Sequence, residues 1–266
     1  MKKTLLPLSA LLFSVLPIIP ANAAVLWSEN FQGMTSGSTP PVQAPPASVG
    51  INNITANITG TNRTIVTDAG TSPVDPFGGA GNKSLMFEKT GTGSSSSPYF
   101  FATVPETTLG ILTFDLYTVN DGGSFTTPIF TFYTYDGGNW SNIGAFVNIF
   151  ATSITAFSGT TAKTASSVIT ANTANQVSLE FFANSTYTVK VNGSAVSFSG
   201  TTVLSYYSGS ASSIDRVRMG SQDTSNTKSR VFVDNIVLVP EPGTCILLGL
   251  AGMAFLLNRR KRRGAD

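Results

Sequence analysis

The chain has 266 residues, only 11% of them charged, with a formal net charge of +2, no histidine and one cysteine. With no histidine, and with its only thiol near the C-terminus at Cys245, it has neither a Ser-His-Asp nor a Cys-His nucleophile, nor a zinc site built on those ligands. The positive balance belongs to the two ends. Residues 24–238 hold nine of the 16 basic and twelve of the 14 acidic side chains, so this body stands at about −3 and carries no basic footprint for nucleic acid.

The chain opens "MKKTLLPLSALLFSVLPIIPANAA". Lys2 and Lys3 precede an apolar stretch from Leu5 to Ile19, and Ala21-Asn22-Ala23 follows. A charged start, an apolar middle and an A-x-A site predict a signal peptide over residues 1–23, cleaved after Ala23 with Ala21 and Ala23 as its recognition pair. Pro7 and Pro17 argue against a lasting membrane helix there.

Residues 24–238 read as a single all-β domain, a length that one β-sandwich accommodates. The body is exported without a cysteine, so its core must stabilise it unaided by disulfides. The first strand is "VLWSENF" (25–31), followed by a Pro/Ser/Gly-rich segment from Gly33 to Ser48. "NNITANITGTN" (52–62) reads as an irregular polar loop or an edge strand. "KSLMFEK" (83–89) and "PYFFATV" (98–104) flank a flexible connection, "TGTGSSSSP" (90–98).

"LGILTFDLYTV" (109–119) alternates Leu112, Phe114 and Leu116 with Thr113, Asp115 and Tyr117. "PIFTFYTY" (128–135) and "NIGAFVNIF" (142–150) continue the pattern, with turn chemistry at Asp121 and Asp136. In "QVSLEFFA" (176–183) the apolar positions are Val177, Leu179 and Phe181. "TYTVKVNGSAVSF" (186–198) predicts a hairpin: Tyr187, Val189 and Val191 share a face, and Asn192-Gly193 makes a two-residue turn. "SIDRVRMGS" (213–221) and "RVFVDNIVLV" (230–239) complete about ten strands, which pack most economically as two antiparallel sheets. Phe100, Phe130, Phe132, Phe146 and Phe181 are expected in the core. Trp140, Tyr133, Tyr135, Tyr206 and Tyr207 are the candidates for a ligand-facing aromatic surface, Trp140, Tyr206 and Tyr207 foremost.

The chain ends "VPEPGTCILLGLAGMAFLLNRRKRRGAD". Residues 243–257 carry no charge, and as a helix they would extend about 22 Å. That is short for a bilayer core of about 30 Å, but flanking basic side chains can snorkel to offset the mismatch. A single transmembrane helix is therefore predicted at 243–257, with Cys245 a small apolar residue within it. Arg259, Arg260, Lys261, Arg262 and Arg263 form its cytoplasmic stop. Pro240 and Pro242 keep the preceding segment extended.

Residues 239–263 resemble a PEP-CTERM sorting signal: a Pro-Glu-Pro triplet, a short apolar helix and an arginine-rich cluster. The resemblance implies recognition of Pro240, Glu241 and Pro242 by an exosortase, a membrane enzyme that acts near this triplet. It also implies export across the inner membrane to the envelope, cell surface or extracellular matrix, with exopolysaccharide as a partner there.

The first strand with its "SENF", the "YTVKVNG" hairpin and the closing "VFVDNIVLV" resemble a concanavalin A-like or laminin-G-like jelly roll. That resemblance implies adjoining first and last strands, with a structural calcium at Glu29 and Asp234. Glucanases of this architecture place acids in a Glu-x-Asp-x-x-Glu strand, whereas Glu88, Glu106, Asp115 and Glu180 stand singly here. The expectation is a non-enzymatic surface protein with a structural or adhesive role. A lectin-like carbohydrate-binding module is the alternative, and a divergent glycoside hydrolase the second alternative.

Overall fold

The structure, a computed structural model, describes residues 25–34, 36–37, 50–51, 62–71, 74–79, 81–89, 99–119, 128–137, 139–221 and 229–240. The expected signal peptide, Glu241 and Pro242, the membrane segment and the basic stop lie outside these residues. Among the described residues there is no helix long and apolar enough to cross a membrane.

Sixteen strands form among the described residues. They are β1 (Trp27–Glu29), β2 (Gly50–Ile51), β3 (Asn62–Thr67), β4 (Ser84–Lys89), β5 (Tyr99–Thr107), β6 (Gly110–Val119), β7 (Phe130–Asp136) and β8 (Asn139–Ile149). Then come β9 (Ile154–Ser158), β10 (Thr161–Ala165), β11 (Ala174–Phe182), β12 (Thr186–Val191), β13 (Ser194–Ala195), β14 (Val203–Ser205), β15 (Ile214–Gly220) and β16 (Ser229–Val239). One sheet has the order β13-β12-β11-β6-β16-β4-β3, with β1 added on β16 and β14 on β12. The other runs β10-β9-β8-β7-β15-β5-β2. The main ladders are antiparallel, as expected.

Alternation builds the core. On β6, Leu112, Phe114 and Leu116 are buried while their neighbours are half-exposed. On β11, Val177, Leu179 and Phe181 lie opposite Val191, Val189 and Tyr187 of β12, and all six are core residues. The second sheet answers with Phe130, Phe132, Val147, Ile149, Val217 and Met219. Phe114 contacts Phe130 and Phe132 with ring centroids 6.2 and 5.6 Å away, locking one sheet onto the other. Each such side chain, fully buried, stabilises the fold by about 1.5–3 kcal/mol.

The predicted hairpin is present, with Lys190 opposite Ala195 and Val191 opposite Ser194. Asn192 and Gly193 have φ of 50° and 79°, the positive pair that a type I′ turn requires. A Cβ on Gly193 would meet open space, so glycine is needed there for its backbone freedom alone.

The strands not anticipated are β2, β3, β9, β10 and β14. At the ends of the two sheet orders, β3 ("NRTIVT") and β10 ("TAKTA") are edge strands, which can stay polar because one of their sides has no ladder partner. β9 ("ITAFS") commits only Ile154 and Ala156 to the core, too few apolar anchors to show as a period. Asp136 also departs from expectation. Instead of shaping its own turn, it is buried and accepts hydrogen bonds from Ser212 N at 2.7 Å and Ser213 Oγ at 2.6 Å, which pins the approach to β15.

Candidate functional site

The outer face of the seven-stranded sheet carries rings where an exposed sheet face would ordinarily be polar. Cross-strand register sets Tyr133 of β7 opposite Phe146 of β8, and their rings stack at 4.5 Å. Phe146 in turn stacks on Phe157 of β9 at 4.1 Å, with planes 8° apart. On the other side, Arg218 of β15 is registered with Tyr133 and lies over the rings of Tyr99 (4.4 Å) and Tyr133 (5.7 Å). Arg216 lies over Phe101 at 5.9 Å. Tyr135 stacks beside Tyr133 at 6.0 Å. The result is a row of rings and guanidinium groups that crosses five adjacent strands, with Tyr99, Tyr133, Phe146, Phe157 and Arg218 all half-buried.

Phe146 therefore corrects the sequence expectation. Four of the five phenylalanines named above are core residues, but β8 turns Ala145, Val147 and Ile149 inward and so sends Phe146 outward. Tyr206 and Tyr207 also part company. Tyr207 stands edge-on to Phe146 (5.3 Å) and Phe157 (5.6 Å), held by its N–H to Gly144 O at 2.8 Å. Tyr206, expected beside it at a ligand surface, turns inward to Phe181 and Tyr187 and is 3% exposed. Burial, and then the Asp136 charge, push the Tyr206 phenol well above its ordinary range. Its hydroxyl has no hydrogen-bond partner among the described residues. Gly144 makes room for this packing: a Cβ there would come 2.6 Å from Thr134 Oγ1 and 3.7 Å from Tyr206. Trp140 lies in β8, and its side chain is outside the described residues.

The outer face of the nine-stranded sheet carries a different site. Asp234 of β16 is registered directly with Asp115 of β6. A bulge follows, with Asn235 at φ 48°, and that turn lets Asn235 serve both acids. Its N–H donates to Asp234 Oδ1 at 2.7 Å and its Nδ2 to Asp115 Oδ2 at 2.9 Å. From the loop before β4, Asn82 Nδ2 bridges Asp234 Oδ2 (3.2 Å) and Asp75 Oδ2 (2.9 Å). Ser84 Oγ closes the network by donating to Asp75 Oδ1 at 2.6 Å. Asp234 is wholly buried, and that burial drives its carboxyl up to about 6; Asn235 and Asn82 hold it down in part, and the charges of Asp75 and Asp115 raise it further. A pocket of 410 Å³ opens above this network, between β6, β11, β16 and the loop carrying Phe77.

Strand pairing brings β1 against β16, as the jelly-roll resemblance implies. Glu29 is registered with Ile236, so it leaves β1 on the side of the core residues Trp27 and Ile236, while Asp234 leaves β16 on the side of Asp115. Glu29 Oε1 accepts the N–H of Phe31 at 2.6 Å, and burial raises its carboxyl despite that bond. Among the described residues, no group of three or more Cys, Asp or Glu is disposed to hold a metal ion.

The fold has distant likenesses. A carbohydrate esterase from Shiga toxin-encoding bacteriophage phi24B matches with a TM-score of 0.50 at 14% identity, over 82% of this chain and 100% of its own. The catalytic domain of a glycoside hydrolase family 131 protein from Coprinopsis cinerea matches with a TM-score of 0.50 at 12% identity, over 82% of this chain and 95% of its own. A cellulose induced protein matches with a TM-score of 0.47 at 13% identity, over 80% and 96%. The first two of these distant likenesses show the jelly-roll type of β-sandwich and nothing finer. No curated protein matches the chain. The C-terminal end is more specific: β16 closes at Val239, and residues 238–263, which begin on its last two ladder positions, match the PEP-CTERM protein-sorting motif.

Proposed function

We propose that this is an exported envelope or matrix protein whose β-sandwich holds polysaccharide on the outer face of its seven-stranded sheet, in a structural or adhesive role. In this reading residues 1–23 are removed on export, residues 24–238 are the binding body, and residues 239–263 are the address read by an exosortase. In the same reading the apolar segment 243–257 holds the chain in the membrane until it is processed.

One observation carries the binding role: the ring row of Tyr99, Tyr133, Phe146, Phe157 and Tyr207, interrupted by Arg218. Because the rings stack on one another, the row offers a sugar their apolar edges rather than open faces, and the guanidinium supplies planar donors to sugar oxygens. Strands in a sheet lie about 4.8 Å apart, so rings on adjoining strands give a polymer a repeating track rather than a closed pocket. The reading is one of binding without catalysis. A fold shared with a carbohydrate esterase and a glycoside hydrolase agrees with it without carrying it.

The test is affinity electrophoresis of the protein through gels containing bacterial exopolysaccharide, with Phe146→Ala and Tyr133→Ala as comparison. Retardation of the wild type, weakened about ten-fold or more in each variant, is expected. Equal mobility of all three with and without polysaccharide would overturn the role.

A further inference from the structure

We propose that the pocket on the nine-stranded sheet, between Phe77, Asp115, Gln176, Asn192 and Asn235, is a second and separate binding site, and that it takes a single neutral pyranose or a polyol of similar size. Its volume, 410 Å³, is near the lower end of ordinary small-ligand sites and suits one ring rather than a polymer.

The lining selects the ligand. Among the described residues no lysine or arginine lines the pocket, so they offer an anion no countercharge. A divalent cation wants six to eight oxygens, and the described residues hold no cluster of three acids disposed for one. What remains is a set of side-chain amides and two carboxylates at different stages of commitment. Asn175 is saturated: its amide bonds Thr170 N, Thr170 O and Thr173 O, so it builds the wall. Asp234 is likewise occupied by Asn82 and Asn235. Three groups around the opening keep unused capacity. Asp115 gives only Oδ2 to Asn235. Asn192 uses only Oδ1, accepting Gln176 N at 2.8 Å. The exposed Gln176 amide makes no side-chain hydrogen bond among the described residues.

An acceptor and two amides that bond no other side chain match the mixed donor and acceptor character of vicinal hydroxyls. Phe77 adds the apolar wall that C–H groups need, itself braced edge-on against Tyr117 at 6.4 Å. The site is also built rigidly where it must be. The Asn235 bulge and the Asn192 turn both hold positive φ, and each amide is oriented by a hydrogen bond, Asn235 Nδ2 donating to Asp115 Oδ2 and Asn192 Oδ1 accepting from Gln176 N.

The test is saturation-transfer NMR and calorimetry on the full chain, with glucose, galactose, mannose and glycerol as probes. Binding of at least one of them with a Kd of about 1 mM is expected, the scale of a ligand making few contacts. Gln176→Ala and Asp115→Asn should each weaken it about ten-fold, while Phe146→Ala on the opposite sheet leaves it unchanged. That control separates this site from the polysaccharide face: losing one need not disturb the other. The proposal fails if none of the four probes binds at 50 times that concentration. It also fails if the two pocket variants bind as the wild type does, if calcium alone occupies the pocket, or if glucosamine binds there in strong preference to glucose.

Discussion

Asp234 makes the stability of this sandwich depend on pH in an unusual direction. Its carboxyl is raised from 3.8 to about 6, first by burial. The folded state therefore holds that proton more tightly than the unfolded chain does. The stabilisation is complete below about pH 4 and is lost as pH rises through about 6. The shift of roughly two units corresponds to at most about 3 kcal/mol. About 1–3 kcal/mol is therefore the working range. In a domain of this length each kcal/mol moves Tm by about 2–4 °C.

Other acids titrate too, so the comparison must isolate Asp234. The raised Glu29 acts in the same direction. Asp136 acts in the opposite one: burial pushes its carboxyl up, but the Ser213 and Ser212 hydrogen bonds outweigh that and leave it lowered. Its contribution is lost only as pH falls below the ordinary range. Asp234→Asn keeps the shape and the acceptor for Asn235 N, and forfeits the Asn82 contact, a constant cost of about 1 kcal/mol. Melting wild type and variant by circular dichroism from about pH 4 to 8 should show the wild type losing about 2–10 °C more than the variant over that interval. Parallel curves, or a wild type that gains on the variant as pH rises, would refute the assignment of the raised carboxyl to Asp234.

The hairpin gives a second check: Gly193→Val should cost about 1–3 kcal/mol in denaturant titration, through backbone strain alone, since the space is open. Tyr187→Asp or Val189→Asp should cost more than that, and Thr186→Asp little, because the first two are core and Thr186 is on the other face. Lys190→Asp will not be mild, since Lys190 Nζ bonds Glu180 at 2.6 Å and the variant sets two acids together. Replacing Pro240, Glu241 and Pro242 with alanine should leave export intact and block processing on an immunoblot of cell fractions; unchanged processing would remove the triplet from the signal. For the calcium expected at Glu29 and Asp234, the observed register favours a Tm that chelator leaves alone; a fall that excess calcium reverses would show an ion joining β1 to β16.

What the sequence disclosed depended on whether a feature is local. Alternation in β6 and β11 and the Asn192-Gly193 turn are set by neighbouring residues, and they appear where expected. Edge strands such as β3 and β10 owe their order to a ladder partner and leave little trace in hydropathy. Faces are harder still. In "GAFVNI" either alternate set could be the inner one, and only tertiary packing decides that small Ala145 faces in and Phe146 out. Adjacent Tyr206 and Tyr207 part because tertiary packing takes Tyr206 inward onto Phe181 and Tyr187 and leaves Tyr207 against Phe146 and Phe157, a choice that hydropathy does not carry. The Asp115–Asp234 pair was invisible for a different reason. Each acid stands singly in the sequence, and their meeting is a matter of register between strands far apart in sequence.

β16 is the strand on which these threads meet. It is interior to its sheet, with β6 and β4 along its two sides and β1 added at its end. Its inner residues Val231, Val233, Ile236 and Leu238 are core, and between them it carries Asp234. A carboxylate that costs free energy to bury is tolerated best where backbone ladders on both sides over-determine the strand. The same strand ends at Val239, and Pro240, which lacks the N–H to extend a ladder, stops it one residue before Glu241 of the sorting triplet. Tension applied through the C-terminal address would load β16 along its length, so its ladders would have to shear together rather than open one bond at a time. A protein held by its C-terminal end is thus held by an interior strand, laddered on both sides.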